Sequence, residues 1–458
     1  MSGYKALVFR MMIVTVIGVL SLTAARAPVD ELIVSCSSEV LVQLQSRFGA
    51  AIIDAIPTAD AYLIAVPSKV GLAQLRSVND GLRISSNFGL EMADVFQQPG
   101  VTSSLRWQWV PFHTSRAPRF YLGQKAASTI EVLKAHRFST GLRSVVALID
   151  TGIDDTHPVL ENSVVAGRNY ISSGPASEWN DPVVDQSHST VFDLLQSHST
   201  VFDLTQGPSA FEVLRGNVGV LFISNAYGSF GSGSLPAAFG HGTMTAGLVH
   251  LMAPNAQLMP MKAFDADGRA RLWNVIRAVR DAVDMGAHVI NMSFSAPNDR
   301  ATAELFERLA VRYAKKADVA LVAAAGNSGL EVEVIPASID PVDAIAAVNE
   351  SDVKAAFSNY GRHISLTAPG SGIITTYPGA FATVSGTSFS SAFVSGLYGL
   401  LKEDGIDGSR ARHAIERGAD SVQEVNEPSL KHKLGKGRIN AFQTLSRCGK
   451  HFEARACN

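Results

Sequence analysis

The sequence has few cysteines and little net charge, and these shortages exclude several classes of protein. Three cysteines among 458 residues are too few for a disulfide framework. There is also no CxxC or HExxH motif and no His/Cys cluster with metal-ligand spacing, so we expect no catalytic metal. The formal net charge of −2 provides no electrostatic attraction to nucleic acid or to an anionic membrane, so neither is expected as a partner.

Hydrophobic residues are abundant by contrast. They make up 46% of the chain while charged residues make up 17%, a balance typical of a protein with a large buried core. Because one domain usually takes roughly 100–200 residues, a chain of this length should contain at least two folded units.

The first residues have the pattern of a targeting signal. Lys5 and Arg10 precede an apolar run over residues 11–22, and small residues follow up to Ala27. This pattern predicts a secretory signal peptide over residues 1–27 and a secreted, extracellular protein. The alternative is an uncleaved membrane anchor. The run after Arg10 is shorter than the ~20 residues that a span needs, which favours cleavage and a mature protein free of the membrane.

Residues 28–96 alternate between strand and helix patterns. Strands are predicted at 31–36, 51–56, 61–66 and 82–92, and helices at 38–48 and 68–78. The order β-α-β-β-α-β is that of a small ferredoxin-like α+β domain. Composition is equally consistent with a domain that is removed on maturation and with one that is retained.

Residues 97–140 have a looser pattern and are predicted to be a linker with the mature N-terminal segment, ending in a helix over 127–136. From residue 141 onward, short apolar runs alternate with amphipathic patterns such as those at 272–285 and 304–316. This alternation predicts an α/β domain over 141–445, with a mainly parallel sheet covered by helices on both faces. The predicted strands are 145–149, 218–223, 257–261, 289–292, 319–325 and 344–348.

Two further features lie outside this alternation. The sequence QSHSTVFDL occurs at 186–194 and again at 196–204, and we interpret it as a tandem duplication in a surface loop. His188 and His198 alone would make a weak metal site.

The C-terminal tail, residues 446–458, contains Cys448 and Cys457, which could pair in an exported protein, whereas Cys36 is left over.

Three short motifs contain a carboxylate, an imidazole and a hydroxyl. An apolar strand ends at Asp150 in Asp-Thr-Gly, His241 stands between glycines at the start of a predicted helix, and Ser388 begins an apolar helix in Gly-Thr-Ser. The first motif also occurs in aspartic proteases, but those need a second such carboxylate and none is present. Working residues gather at the carboxyl ends of parallel strands, so we expect the three to meet.

A fourth motif places an amide at the same edge. Asn327 follows the apolar run 319–325 in Gly-Asn-Ser-Gly, and a neutral side-chain amide can donate to a developing oxyanion without adding a charge.

Asp-Thr-Gly, His-Gly-Thr, Gly-Asn and Gly-Thr-Ser in this order resemble the motifs of the subtilisin-like serine proteases, or subtilases, over roughly residues 144–401. The resemblance implies a three-layer subtilisin-like fold and a triad of Asp150, His241 and Ser388. It implies an oxyanion hole formed by Asn327 and the backbone N–H of Ser388. It also implies that residues 28–96 are a propeptide that assists folding and inhibits the enzyme.

The resemblance further implies protein or peptide substrates. The walls of the substrate-binding cleft would be Ser293, Phe294, Ser295, Ala323, Ala324, Ala325 and Gly326. No cofactor is expected for the chemistry; many subtilases bind structural calcium, but no acidic loop here is dense enough to assign ligands.

The sequence departs from the family pattern near these residues. Phe389 and Ser390 replace the usual Met-Ala after the serine, and Phe294-Ser295 replace a usual Leu-Gly, which affects substrate preference. The interval between Asp150 and His241 also looks long for the family, because the duplicated segment lies inside it.

These motifs favour an active, self-processing extracellular endopeptidase. The alternative from another class is a catalytically silent subtilase fold that acts as a binding protein. Silent members usually lack one of the four site residues, and all four are present here.

Overall fold

The computed structural model describes residues 29–79, 82–87, 89–91, 108–181, 221–222, 236 and 238–448. The chain divides into two compact units, Met1–Ser86 and Asn87–Asn458. The predicted signal peptide lies outside the described residues, as does Cys457, so export and the pairing of Cys457 with Cys448 stay predictions. Within the described ranges, no helix is long and apolar enough to cross a membrane.

The first unit is a small antiparallel sheet with two helices, in the predicted order β-α-β-β-α-β. Ser37 caps the longer helix by accepting from Val40 N, and Gly49 ends it in the left-handed conformation. Leu44 of that helix and Ile64 of the sheet belong to one cluster of buried residues, so the unit has a hydrophobic core of its own. The sheet order is β2-β3-β1-β4, and the elements are β1 (Val29–Ser35), α1 (Ser38–Phe48), β2 (Ala51–Ile56), β3 (Ala61–Pro67), α2 (Leu72–Arg76) and β4 (Arg83–Ser86).

The predicted single strand over residues 82–92 is wrong. Asn87 follows β4, and its side-chain oxygen accepts from Trp273 N at 3.0 Å. A separate short strand then pairs antiparallel with Arg269–Arg271 inside the second unit. Local periodicity could not show that the pairing partner changes at Asn87.

The second unit contains more strands and helices. Its strands are β5 (Gly89–Glu91), β6 (Trp109–Phe112), β7 (Ser115–Pro118), β8 (Val145–Asp150), β9 (Arg168–Asn169), β10 (Leu221–Phe222), β11 (Gln257–Lys262), β12 (Arg269–Arg271), β13 (Val289–Met292), β14 (Ala296–Pro297), β15 (Ala320–Ala324), β16 (Val334–Ile335), β17 (Asp343–Val348), β18 (Ile364–Pro369), β19 (Ile373–Tyr377) and β20 (Ala380–Val384). Its helices are α3 (Arg119–Leu122), α4 (Lys125–Thr129), α5 (Val132–Ala135), α6 (His241–Met252), α7 (Leu272–Asp284), α8 (Arg300–Phe306), α9 (Arg312–Lys316), α10 (Thr387–Glu403), α11 (Gly408–Gly418) and α12 (Ala441–Cys448).

A seven-stranded sheet forms the centre of this unit, with the order β18-β17-β15-β13-β8-β11-β9. Its described pairings are parallel, which confirms the predicted parallel sheet. The central strands are apolar and buried because α6, α7 and α10 pack against them. The carboxyl ends of β8, β13 and β15 therefore lie at one edge of the sheet, where functional residues were expected.

Two predicted elements of the second unit are corrected. The helix expected over 127–136 is broken into α4 and α5, because Glu131 adopts a left-handed conformation and the Ile130 carbonyl accepts from Ala441 N at 2.9 Å. The strand expected over 218–223 is described only as β10. It pairs antiparallel with β20 in a separate three-stranded sheet and does not join the parallel sheet.

Three histidines cluster where the β6–β7 hairpin packs on α6. His113 Nε2 lies 3.2 Å from His136 Nδ1, and His136 Nε2 lies 3.0 Å from the Met252 carbonyl. His250 of α6 lies between two serine hydroxyls. The pKa of His136 is lowered to about 4 and the pKa of His250 to about 3, first by burial and then by the charge of His113, while the bond to the Met252 carbonyl opposes the shift of His136.

The lowered pKa values predict a loss of stability in acid. Below the unfolded-state pKa of about 6.5, the unfolded chain binds protons that the native histidines exclude, so stability should fall from about pH 6.5 down to about pH 4. In His136→Gln the amide can still donate to Met252 O without titrating, and thermal unfolding followed across this range should show a shallower fall. The same change at His413, which is exposed on α11, is the control. An unchanged slope in His136→Gln would contradict the prediction.

Candidate active site

The Asp150 carboxylate lies at the carboxyl end of β8 and is almost completely buried. Its Oδ1 accepts from Thr151 N and from His241 Nδ1, both at 2.8 Å, and its Oδ2 accepts from Thr245 Oγ1 at 3.2 Å. Burying a carboxylate is unfavourable unless it is hydrogen-bonded, and these donors satisfy that requirement. They also fix the position of the carboxylate relative to the imidazole.

His241 is the first residue of α6 and is fully buried. Gly240 before it has φ 86°, and a Cβ there would lie 2.6 Å from the Tyr377 ring, so only glycine suits this position. The bond to Asp150 uses Nδ1. Among the described residues, the other ring nitrogen, Nε2, has no hydrogen-bond partner although it is buried. A buried imidazole nitrogen in this state suits the role of a proton acceptor.

Ser388 is the second residue of α10 and is fully buried. The ring of the next residue, Phe389, has its centroid 5.8 Å from that of His241. The Ser388 hydroxyl donates to the Ser293 carbonyl at 3.1 Å rather than to His241. The structure therefore contains the expected carboxylate–imidazole bond, whereas the hydroxyl–imidazole bond is not made in this conformation.

Asn327 follows β15 in the same part of the unit and is mostly buried. Its Oδ1 accepts from Thr387 N at 2.9 Å and from Thr387 Oγ1 at 2.8 Å. Thr387 immediately precedes Ser388, so the amide is held against the start of α10. These two bonds fix the orientation of the Asn327 amide.

The residues predicted to form the walls of the cleft lie near these groups. Ser293 follows β13, and its Oγ donates to the Ser388 carbonyl at 2.9 Å. Phe294 is buried with its ring centroid 5.0 Å from that of Phe264, while Ser295 is half-buried. Ala323, Ala324, Ala325 and Gly326 form the buried end of β15 and the turn after it.

Sequence reasoning missed three buried charged residues beside Asp150. Lys262 at the end of β11 pairs with Asp181 at 2.8 Å, and both side chains are fully buried. Glu178 is also fully buried, and it accepts from Thr151 Oγ1 at 2.7 Å. The burial of Lys262 could have been predicted, because this lysine ends an apolar run. Glu178 and Asp181 lie in an irregular segment, where no periodicity indicates which side chains are buried.

No candidate calcium or other metal site is assigned. Within the described ranges, no group of three or more His, Cys, Asp and Glu side chains is arranged to hold a metal ion. The duplicated segment with His188 and His198 lies outside them.

The arrangement resembles the activated serine of an acyl-transfer enzyme, except that the hydrogen bond from the Ser388 hydroxyl to His241 Nε2 is not formed. A buried carboxylate that accepts from Nδ1 keeps the proton there and leaves the Nε2 lone pair to act as a base. Ser388 immediately precedes Phe389, whose ring lies against that of His241, and the Asn327 oxygen is bonded to Thr387 at the same helix start. These are the groups needed for acyl transfer.

Comparisons with known proteins agree with this chemistry. The sequence profile described as the subtilase family matches residues 141–437, more than half of the chain. A thermophilic serine proteinase of Bacillus sp. (strain AK1) is 32% identical over 302 residues, which are 66% of this chain and 61% of that protein. Thermitase of Thermoactinomyces vulgaris is 27% identical over 334 residues, which are 73% of this chain and 99% of thermitase.

A solved structure shows the same fold. Fervidolysin from Fervidobacterium pennivorans, described as a keratinolytic enzyme related to subtilisin, superposes with a TM-score of 0.63 at 17% identity. The alignment covers 93% of this chain and 62% of fervidolysin. The predicted three-layer subtilisin-like fold is therefore confirmed.

The close approach of Gly242 to the Asp150 loop generates a testable prediction. A Cβ at Gly242 would lie 2.0 Å from the Gly152 carbonyl oxygen, so Gly242→Ala must push α6 away from the loop. We expect a loss of about 1–3 kcal/mol in the free energy of unfolding, measured by urea denaturation. Gly399→Ala is the control, because its nearest neighbour is the Ser144 hydroxyl at 3.2 Å. Equal stability of Gly242→Ala and the wild type would disprove the packing argument.

Proposed function

The chain belongs to the subtilase family, and from that premise we propose that it is a secreted serine endopeptidase made as a self-processing zymogen. The observation that carries the proposal is the buried hydrogen bond from His241 Nδ1 to Asp150, with the ring of Phe389, the residue after Ser388, packed against His241. The proposed substrates are proteins or peptides, and the chemistry needs no cofactor.

In the proposed mechanism Ser388 is the nucleophile. Its hydroxyl first leaves the Ser293 carbonyl and turns to His241 Nε2, which then accepts the proton as the oxygen attacks the scissile carbonyl. The tetrahedral intermediate collapses to an acyl-enzyme when His241 donates that proton to the leaving amine. Water then repeats the sequence on the ester, and Asp150 stabilises the imidazolium at each step.

The oxyanion of the tetrahedral intermediate would be held by Asn327 Nδ2 and the backbone N–H of Ser388. The two bonds from Thr387 support this role, because they hold the amide in one orientation before the charge develops. The amino end of α10 also carries partial positive charge, which favours an anion there.

Residues 293–295 and 323–326 are proposed as the walls of the substrate cleft. They carry no charge, which favours an apolar or small side chain before the scissile bond. Phe294 would influence this preference through its packing on Phe264 rather than by direct contact, since its side chain is buried.

Residues 28–96 are proposed as the propeptide and inhibitor, after a signal peptide over 1–27 that directs secretion. The separate hydrophobic core of the first unit supports this proposal, because a domain that assists folding must form a stable surface by itself. Autocatalytic cleavage would then lie between about residues 93 and 120, in the region that the sequence predicts to be a linker.

Substitution of Ser388 tests the whole proposal. The full-length wild type should lose roughly 10 kDa from its N-terminus and digest casein, whereas Ser388→Ala should stay full-length and inert. Ser395→Ala is the matched control, because it removes a buried hydroxyl from the same helix that bonds to Asn291 and not to the site. Electrophoresis, N-terminal sequencing and casein hydrolysis provide the readouts. A folded but inert wild type would instead favour a catalytically silent binding protein.

Substitution of Asn327 tests the oxyanion hole separately. Asn327→Ala should lower kcat by about 100- to 1,000-fold with little change in KM, the loss found when this type of donor is removed from a protease of this family. Steady-state kinetics on a chromogenic peptide measure both constants. A variant with nearly wild-type kcat would remove Asn327 from the mechanism.

A further inference from the structure

Glu178 links the two segments that carry Asp150 and His241. Its Oε1 accepts from Thr151 Oγ1 at 2.7 Å and from Thr243 N at 3.2 Å, and its Oε2 accepts from Gly240 N at 3.3 Å. The side chain is fully buried, so these bonds form where water does not compete.

The donors to Glu178 stand directly beside the proposed triad. Thr151 follows Asp150, and its hydroxyl lies 2.7 Å from Glu178 but 3.4 Å from Asp150, so it donates chiefly to Glu178. The same hydroxyl accepts from Gly242 N at 3.0 Å. Backbone N–H groups on both sides of His241 therefore donate either to Glu178 or to Thr151, which itself donates to Glu178.

Charged and titratable groups surround this carboxylate. The pKa of Glu178 is raised to about 7, first by burial and also by the charge of Asp150, although Lys262 and the bond from Thr151 act in the opposite direction. Lys262 pairs with Asp181, and its Nζ also contacts the Thr151 carbonyl. The buried phenol of Tyr377 has a raised pKa, due first to its own burial and then to the charge of Glu178.

We propose that Glu178 is a positioning residue, whose carboxylate holds the Asp150 loop against the first turn of the His241 helix and so sets their catalytic geometry. It acts through Thr151 and the amides around His241 and does not touch the substrate. The inference rests on the proposed protease function, since positioning has a catalytic effect only if the triad works.

A purely structural role is the alternative, and Glu403 provides the matched control for it. Its Oε2 accepts from Thr140 N and Gly141 N at 2.8 Å and from Leu142 N at 2.9 Å, in the loop that precedes β8. Glu403 thus holds a loop by accepting at least as many hydrogen bonds as Glu178 does, and of the same kind. This loop lies at the opposite end of β8 from Asp150. Losing it should affect stability alone.

The experiment compares Glu178→Gln, Glu178→Asp and Glu403→Gln with the wild type, each expressed as the full-length chain and assayed after it has processed itself. The readouts are kcat and KM on a chromogenic peptide from about pH 5 to pH 9, the rate of Ser388 labelling by a fluorophosphonate, and thermal unfolding. The amide of Glu178→Gln cannot accept at both oxygens. We expect kcat and the labelling rate to fall about 10- to 100-fold with KM almost unchanged.

The pH profile separates positioning from stability. Ionisation of Glu178 should contribute to the acid limb of kcat in the wild type and in Glu178→Asp, and should be missing in Glu178→Gln. Glu403→Gln should unfold at a lower temperature with wild-type kcat and profile. If Glu178→Gln fails to fold, Glu178→Asp distinguishes positioning from a purely structural role. Its carboxylate is on a shorter side chain, so positioning predicts a lower kcat in this variant too.

Two results would overturn the inference in different ways. Glu178 variants that lose thermal stability but keep the wild-type kcat, labelling rate and pH profile would reduce Glu178 to a structural residue. A folded wild type that neither cleaves the peptide nor reacts with the fluorophosphonate would instead overturn the proposed protease function on which the inference rests.

Discussion

The hydrogen bond between His241 Nδ1 and Asp150 Oδ1 is the contact on which the rest of the site depends. It joins the end of a central strand to the start of a buried helix, and both side chains are excluded from water. A buried carboxylate needs hydrogen-bond donors, and Asp150 also accepts from Thr151 N and, at 3.2 Å, from Thr245 Oγ1, which shares its proton with the Gly242 carbonyl. The glycines before and after His241 allow the helix to approach closely enough for the bond to form.

Buried charged side chains surround this bond. Lys262 pairs with Asp181, and Glu178 binds Thr151 and the amides beside His241, so each fully buried charge has a partner. Removing Lys262 or Asp181 alone would leave the other charge buried and uncompensated, at a cost of about 3–5 kcal/mol. Such a network holds the imidazole in one orientation, which a base needs if it is to accept a proton without prior rearrangement. Ser388 is different, because its hydroxyl is bonded to a carbonyl and must rotate to act.

The local sequence pattern predicted those elements whose structure depends mainly on their own residues. The apolar runs that became β8, β11, β13 and β17 were predicted to within a residue or two, because strands buried on both faces need continuous hydrophobic sequence. The pattern gave wrong bounds for elements that are interrupted by a hydrogen bond to a residue far away in the sequence. The helix expected over 127–136 breaks because the Ile130 carbonyl bonds to Ala441, and the strand expected over 82–92 divides because Asn87 bonds to Trp273.

The sequence by itself determined the family, the α/β architecture and the residue types at the ends of three strands and two helices. Those features are local, since a motif and a hydrophobic period are both read from neighbouring residues. Tertiary structure alone decided that Glu178, Asp181 and Lys262 are buried together beside Asp150, and that the Ser388 hydroxyl faces Ser293. The physical reason is that burial and hydrogen-bond partners depend on segments far apart in the chain. An acidic residue in an irregular loop has no periodicity from which its surroundings could be predicted.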